Sequence, residues 1–315
     1  MSENKSIDFN IIAADCLIAQ DVACSQTIDR LESLKDNYSE IETIAILNYF
    51  LKIEYRSDVL CWIIKQVDKY RDSSSLSILT ELLLMKEHTP HADYDKEYYT
   101  NVRVLCAKAI SNLKDHSSVH TLMYCLNNKD ENYKIRLSCA DALGKLGDKY
   151  AVTSLMDVVS DETEKSVYIR ESAAVALGLI GDMRAVDSLV KIIETKNGIM
   201  DKFTYLKEKA IEALCRLNPT DDRSFKALKN SLSDENPQVR INTIEALMDY
   251  ETDEAMELIK TMLNDKDEEV QRNAVTALYN IKGEEELNRI INSSQYSDIC
   301  KEEAQIILEE EKDEE

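Results

Sequence analysis

The chain is 315 residues long, has only 6 glycines and 3 prolines, and carries 60 acidic against 38 basic side chains, a formal net charge of −22. So few turn formers, in a chain rich in Leu, Ala, Glu and Lys, exclude a loop-rich or strand-rich fold and predict an all-α protein. The charge repels nucleic-acid phosphates and anionic membrane surfaces, which leaves a protein or peptide with basic residues as the fitting partner.

In chain order, MSENKSIDFNIIAADCLIAQ has no cationic start followed by a long apolar run, and Asp15 interrupts its apolar stretch. No signal peptide is therefore expected, and no segment approaches the roughly 20 apolar residues of a membrane span. The eight cysteines are scattered with no C-x-x-C pair, as befits reduced core thiols in a cytoplasmic protein. Apolar spacing predicts helices over 7–23, 26–35, 39–53, 58–70 and 74–86, a capping region of degenerate repeats spanning 1–97. The stretch EHTPHADYDKEYY, residues 87–99, joins two helices by a long polar, tyrosine-rich connection.

From residue 98 onward the chain repeats itself. Val102-Arg103, Ala107, Ala109-Ile110, Leu113 and Asp115 form one copy. Ile135-Arg136, Ala140, Ala142-Leu143, Leu146 and Gly147-Asp148 form the next, and Ile169-Arg170, Ala174, Ala176-Leu177, Ile180 and Gly181-Asp182 follow. Further copies centre on Lys207, where Asn218-Pro219 replaces Gly-Asp, and on Arg240 and Gln271. The basic or polar position steps by 33, 34, 37, 33 and 31 residues. Each copy holds two helices, the first with small alanines on a buried stripe, the second with pairs such as Ala151-Val152 and Leu155-Met156. A turn such as SDENPQVR leads onward, with Asp234 as the expected capping residue and Pro237 near the helix start. One helix pair cannot bury both faces, so stacked pairs must share a core. The array reads as 98–310 and is followed by an acidic tail, 311–315, expected to fray.

The phrase V-R-x-x-A-x-x-A-L-G-x-L-G-D followed by A-x-x-x-L resembles HEAT repeats of the phycobilisome-lyase type. The resemblance implies an α-solenoid, a right-handed superhelix of antiparallel helix pairs. Such repeats occur in scaffolds, adaptors, chromophore-lyase subunits and a metal-dependent hydroxylase. That hydroxylase type holds iron with His-Glu pairs, and this sequence contains none. DNA-alkylation glycosylases with HEAT-like arrays need a basic concave face with aromatic residues. The charge here is opposite, and the one tryptophan, Trp62, sits in the apolar run VLCWIIKQV.

Several groups of residues could carry function. Arg103, Arg136, Arg170 and Arg240 share one repeat position, and Asp115, Asp148 and Asp182 share another. A partly buried guanidinium can satisfy turn carbonyls and a carboxylate together, so these residues read as a structural ladder. Gly147 and Gly181 end helices, whereas a phosphate cradle needs glycines before a helix start. All four histidines, His88, His91, His116 and His120, lie close in sequence, and with Asp93 or Asp115 their spacing permits a metal site. Exposed polar side chains in a loop and at a helix start account for the same pattern, and neither metal nor cofactor is expected. Cys106 and Cys139 sit inside helix patterns, where packing precedes reactivity, and no catalytic residue is expected.

In the resembling families the Val-Arg helix lines the concave side, which places two rows of non-core positions in a groove. One row is Lys108, Asp141, Val175, Glu212, Glu245 and Thr276; the other is Val104, Leu137, Glu171, Glu208, Ile241 and Arg272. Asp141, Glu171, Glu208, Glu212, Ile241 and Glu245 are thus the candidate partner-binding residues. Carboxylates mixed with aliphatics suit an extended or helical partner segment with basic and apolar residues. The expected function is a non-catalytic, cytoplasmic protein-interaction scaffold or adaptor. The alternative is a chromophore-lyase-like subunit or chaperone for a tetrapyrrole-carrying protein.

Overall fold

The computed structural model describes residues 7–84, 98–195, 204–217, 221–250 and 252–314, and among them there are helices and turns but no strand. His88, His91 and Asp93, most of the 87–99 connection, and Asn218-Pro219 lie outside the described residues. Contacts group the chain into two compact units, residues 1–154 and 155–315. The change of sequence pattern at 97/98 lies inside the first.

The first unit begins with α1 (Phe9–Asp15), α2 (Cys24–Glu32), α3 (Leu34–Asn37) and α4 (Glu40–Ile53). The helix predicted over 7–23 stops at Asp15 because of a buried ion pair far away in sequence. Glu54 and Arg56 meet at 2.6 Å. The Glu54 carboxylate accepts from the Ala19 amide, while Arg56 donates to the carbonyls of Leu17 and Val22. Buried charges need such partners, and providing them bends the backbone into left-handed conformations at Leu17 and Ala19. At α4 the start is fixed locally, by a capping box between Ser39 and Glu42.

Helix pairs follow: α5 (Ser57–Tyr70) with α6 (Leu76–Leu84), α7 (Thr100–Leu113) with α8 (Val119–Asn127), then α9 (Tyr133–Leu146) and α10 (Val152–Ser160). The boundary between units falls within α10. In the first unit α7 packs on α5, α6 and α9, so first helices stack on first helices.

One turn recurs between the two helices of a pair. A left-handed residue, Arg71, Lys114, Gly147 or Gly181, closes the first helix. The next residue, Asp72, Asp115, Asp148 or Asp182, caps a short 3₁₀ turn by accepting the amide two residues on. Glycine takes this conformation freely, while a side chain costs about 1 kcal/mol there. The shared turn makes α5 and α6 a repeat of the same build as its successors, although residues 57–84 lack the sequence phrase.

The second unit contains α11 (Val167–Ile180), α12 (Val186–Glu194), α13 (Thr204–Leu217), α14 (Asp222–Ser231), α15 (Pro237–Met248) and α16 (Asp253–Thr261). It closes with α17 (Glu268–Lys282), α18 (Glu284–Asn292) and α19 (Asp298–Glu314). The closing helix thus runs through Glu314, past the point at which the acidic tail was expected to fray. The first helices α11, α13, α15, α17 and α19 pack in series. Small residues permit the close approach: a Cβ on Gly178 would lie 2.8 Å from Ala213 Cα. Pro237 opens α15 as expected, but its cap is Asn236, which accepts from the Gln238 amide at 2.8 Å. Asp234, the expected cap, is drawn instead to Lys207 at 2.6 Å.

The ladder resolves into two devices. The aspartates cap turns, as described. The basic residues are buried and reach other carboxylates and carbonyls. Arg103 donates to the Leu83 carbonyl at 2.8 Å and to both Glu131 oxygens. Arg136 donates to the Leu126 carbonyl, and Arg170 to that of Val159. Arg240 grips Asp265 through two bonds, at 2.8 and 2.6 Å, and also bonds the carbonyls of Asp234 and Glu235. Each such side chain ties a first helix to the end of the preceding pair, to the turn leading to the next, or to both.

Three stability outcomes follow from this packing. Arg240→Ala strands the shielded Asp265 carboxylate and is expected to cost about 3 kcal/mol in urea unfolding. Arg184→Ala, which removes an exposed pair with Asp182, should leave the midpoint unchanged. Gly178→Ala overfills the α11–α13 contact and should destabilise by about 2 kcal/mol.

Candidate functional site

The second unit carries the carboxylates that the repeat pattern singled out, on three successive first helices. Glu171 lies on α11, Glu208 and Glu212 on α13, and Glu245 on α15. Helical spacing sets Glu208 and Glu212 one turn apart on a common face. Lys209 stands among them, its ammonium 2.7 and 2.9 Å from the two Glu212 oxygens. Amides complete the network. Asn236 donates to Glu208 at 3.3 Å, Asn242 donates to Glu212 at 3.4 Å, and Gln238 donates to Asn242 at 2.8 Å.

Three of these carboxyls are raised from their ordinary pKa. For Glu208, burial is the main cause; Lys209 opposes it, and Glu212 and Glu171 add repulsion. Burial raises Glu171 against the pull of Lys209. Glu245 is raised by burial and by Glu212. The Lys209 ammonium is therefore shared by more negative charge than it can balance. Next to this network the Cys215 thiol donates to Asp249 at 3.0 Å, and burial together with Asp249 and Glu245 pushes its pKa up to about 12. Such a thiol is protonated at neutral pH and is no nucleophile.

The six candidate partner-binding residues do not share one environment. Glu245 is exposed as a residue although its carboxyl is partly desolvated by its neighbours, and Glu171 and Glu212 are half-buried. Glu208 and Ile241 are only 6% and 8% exposed, so neither is the open groove position that the repeat rows imply. α13 packs between α11 and α15, and Asn236, the cap of α15, holds the Glu208 carboxylate. Asp141 is exposed on α9 in the first unit. Sequence reasoning missed Lys209 and the two asparagines, which fall between rows. It also missed Glu131, Asp234 and Asp265, the acceptors of the basic ladder. A signal for those existed, because each lies five or six residues before the next repeat's basic or polar position, at Arg136, Arg240 and Gln271.

Among the described residues no group of three or more His, Cys, Asp and Glu side chains could hold a metal ion. The His116 ring meets the Asp148 carboxylate at 2.7 Å, and the His120 ring lies 6.4 Å from that of Tyr150. Cys106 is fully buried, and burial raises its thiol far above the usual range. Among the described residues no helix is long and apolar enough to cross a membrane.

The sequence matches the HEAT repeats family over residues 95–167, 196–278 and 225–308, and the PBS lyase HEAT-like repeat over 169–195. No curated protein matches the chain significantly. Among solved structures, the karyopherin Kap121p bound to the SUMO protease Ulp1p is similar with a TM-score of 0.50 at 12% identity, covering 94% of this chain. This chain spans 40% of that karyopherin's length. The complex of CpcE and CpcF of phycocyanin lyase from Nostoc sp. PCC7120 is similar at 20% identity, covering 72% of this chain and 92% of that one, with a TM-score of 0.46. Human deoxyhypusine hydroxylase is 15% identical, covering 87% of this chain and 96% of its own, with a TM-score of 0.35. At these identities the likeness is one of fold.

The raised carboxyls have a measurable sign. Glu208 holds its proton more tightly folded than unfolded, so its contribution is favourable below the unfolded value and lost as pH rises through the folded one. Glu208→Gln should therefore raise the melting temperature near pH 8, with the advantage shrinking toward about pH 5. A pH-independent offset in thermal unfolding would refute this assignment.

Proposed function

Because the chain belongs to the HEAT-repeat proteins, we propose that it is a non-catalytic scaffold or adaptor that holds a partner segment on the carboxylate face of α11, α13 and α15. The observation that carries this reading is the charge imbalance: Glu171, Glu208 and Glu245 are all raised, with Lys209 and a few amides to offset them. A face that holds uncompensated, partly dehydrated negative charge is stabilised by an incoming cation. A partner segment with basic residues supplies that cation, and its apolar residues can pack beside the half-buried Val175. The fold likeness to a karyopherin that holds another protein supports a protein as partner. The eight free cysteines support a reducing, cytoplasmic setting.

The PBS lyase HEAT-like repeat over 169–195 motivates a second reading, a lyase-like subunit or chaperone for a tetrapyrrole-carrying protein. Colour co-purifying with the chain from its native cells would favour that reading.

The test of the scaffold reading changes charge only where side chains are accessible. Glu212→Lys combined with Glu245→Lys should weaken binding of a fluorescein-labelled peptide of alternating arginine and leucine at least tenfold. Circular dichroism should stay unchanged. Undiminished binding by this double variant would remove the carboxylate face from the function.

A further inference from the structure

Two tyrosines flank the carboxylate face and are used by nothing described so far. Tyr168 and Tyr205 are the second residues of α11 and α13, and they are 63% and 64% exposed. Each stands three residues before a carboxylate of the network, Glu171 and Glu208. Residues at that spacing share one helix face. The two helices pack directly on each other, with Gly178 against Ala213. Both aromatic side chains therefore lie on the same side of neighbouring helices, one turn from raised carboxyls. The third helix breaks the pattern, with Gln238 and Ile241 at the corresponding positions.

An exposed phenol ring offers a negative face to a cation, and a guanidinium suits it better than an ammonium. The guanidinium is planar and weakly hydrated, so it can stack on a ring and still direct two N–H groups at a carboxylate. An ammonium is a compact, strongly hydrated point charge that loses more on approaching a half-buried glutamate. Charge complementarity alone fixes the sign of the occupant; aromatic and carboxylate together discriminate between cations of equal charge.

We infer that the exposed rings of Tyr168 and Tyr205, with the accessible carboxylate of Glu171 between the helices that carry them, form an arginine-selective shelf, so that the occupant of this face is an arginine-bearing segment of a partner protein. The inference rests on the scaffold reading above and adds the identity of the cationic side chain.

Two labelled ten-residue peptides, one alternating arginine with leucine and one alternating lysine with leucine, test it on the full chain by fluorescence polarisation. The arginine peptide should bind on the order of tenfold more tightly. Tyr168→Leu with Tyr205→Leu should bring the ratio down to about twofold or less, chiefly by weakening the arginine peptide. Tyr168→Phe with Tyr205→Phe, which keeps the rings, should preserve the ratio. Equal binding of the two peptides, or a ratio unmoved by the leucine variant, overturns the shelf while leaving the scaffold reading in place. No binding of either peptide overturns both.

Discussion

A buried cation at the same point of successive repeats is the constraint that organises this molecule. Arg103, Lys207 and Arg240 each sit inside a helix that must otherwise be apolar, and each is tolerated because a carboxylate 25 to 28 residues ahead comes to meet it. An unpaired guanidinium there would cost far more than the packing returns, so the ion pair fixes how one helix pair is set against the next turn. Replacing Arg with Lys at 207 keeps the charge but gives up the fork: Lys207 makes its pair with Asp234, whereas Arg240 bonds a carboxylate and two carbonyls. The basic position is thus a register pin, and the aspartate caps are a second, local device that shapes the turn within a pair.

On the carboxylate face of α11, α13 and α15 the same arithmetic is left unbalanced. Glu171, Glu208 and Glu245 are raised by burial, and the cation among them, Lys209, is already committed to Glu212. At Arg103, Lys207 and Arg240 opposite charges are matched one to one. At the proposed binding face negative charge exceeds positive, and the difference is the driving force available for association.

How much of this was legible in the sequence follows from the range of the forces involved. The helix pairs were legible from apolar spacing, and Gly147 and Gly181 marked their ends because the left-handed conformation there is a local requirement. Arg71 takes up the same conformation without glycine, so the repeat it closes was visible only as a helix pattern, whereas Lys114 lies in a copy that Val102-Arg103 and Asp115 already marked. The early end of the first helix was not legible, since Glu54 and Arg56 act across more than 30 residues. Burial was the other gap. The rows that named Glu208 and Ile241 assume that every non-core position faces solvent, but both side chains are buried in the array. Lys209 escaped because a row is one residue wide and the network is not.

The recurrent left-handed turn also bears on how the chain comes apart. Solenoid repeats touch near neighbours in sequence, so pairs can form and melt by increments. Pairs closed by Gly147 and Gly181 carry no backbone penalty at that turn, whereas those closed by Arg71 and Lys114 hold a side chain where it is disfavoured. Opening by fluctuation should accordingly begin on the amino-terminal side and stop at the glycine-closed pairs. The two best-preserved phrases in the sequence would then mark the most persistent stretch of the array, the part that stays folded while its neighbours breathe.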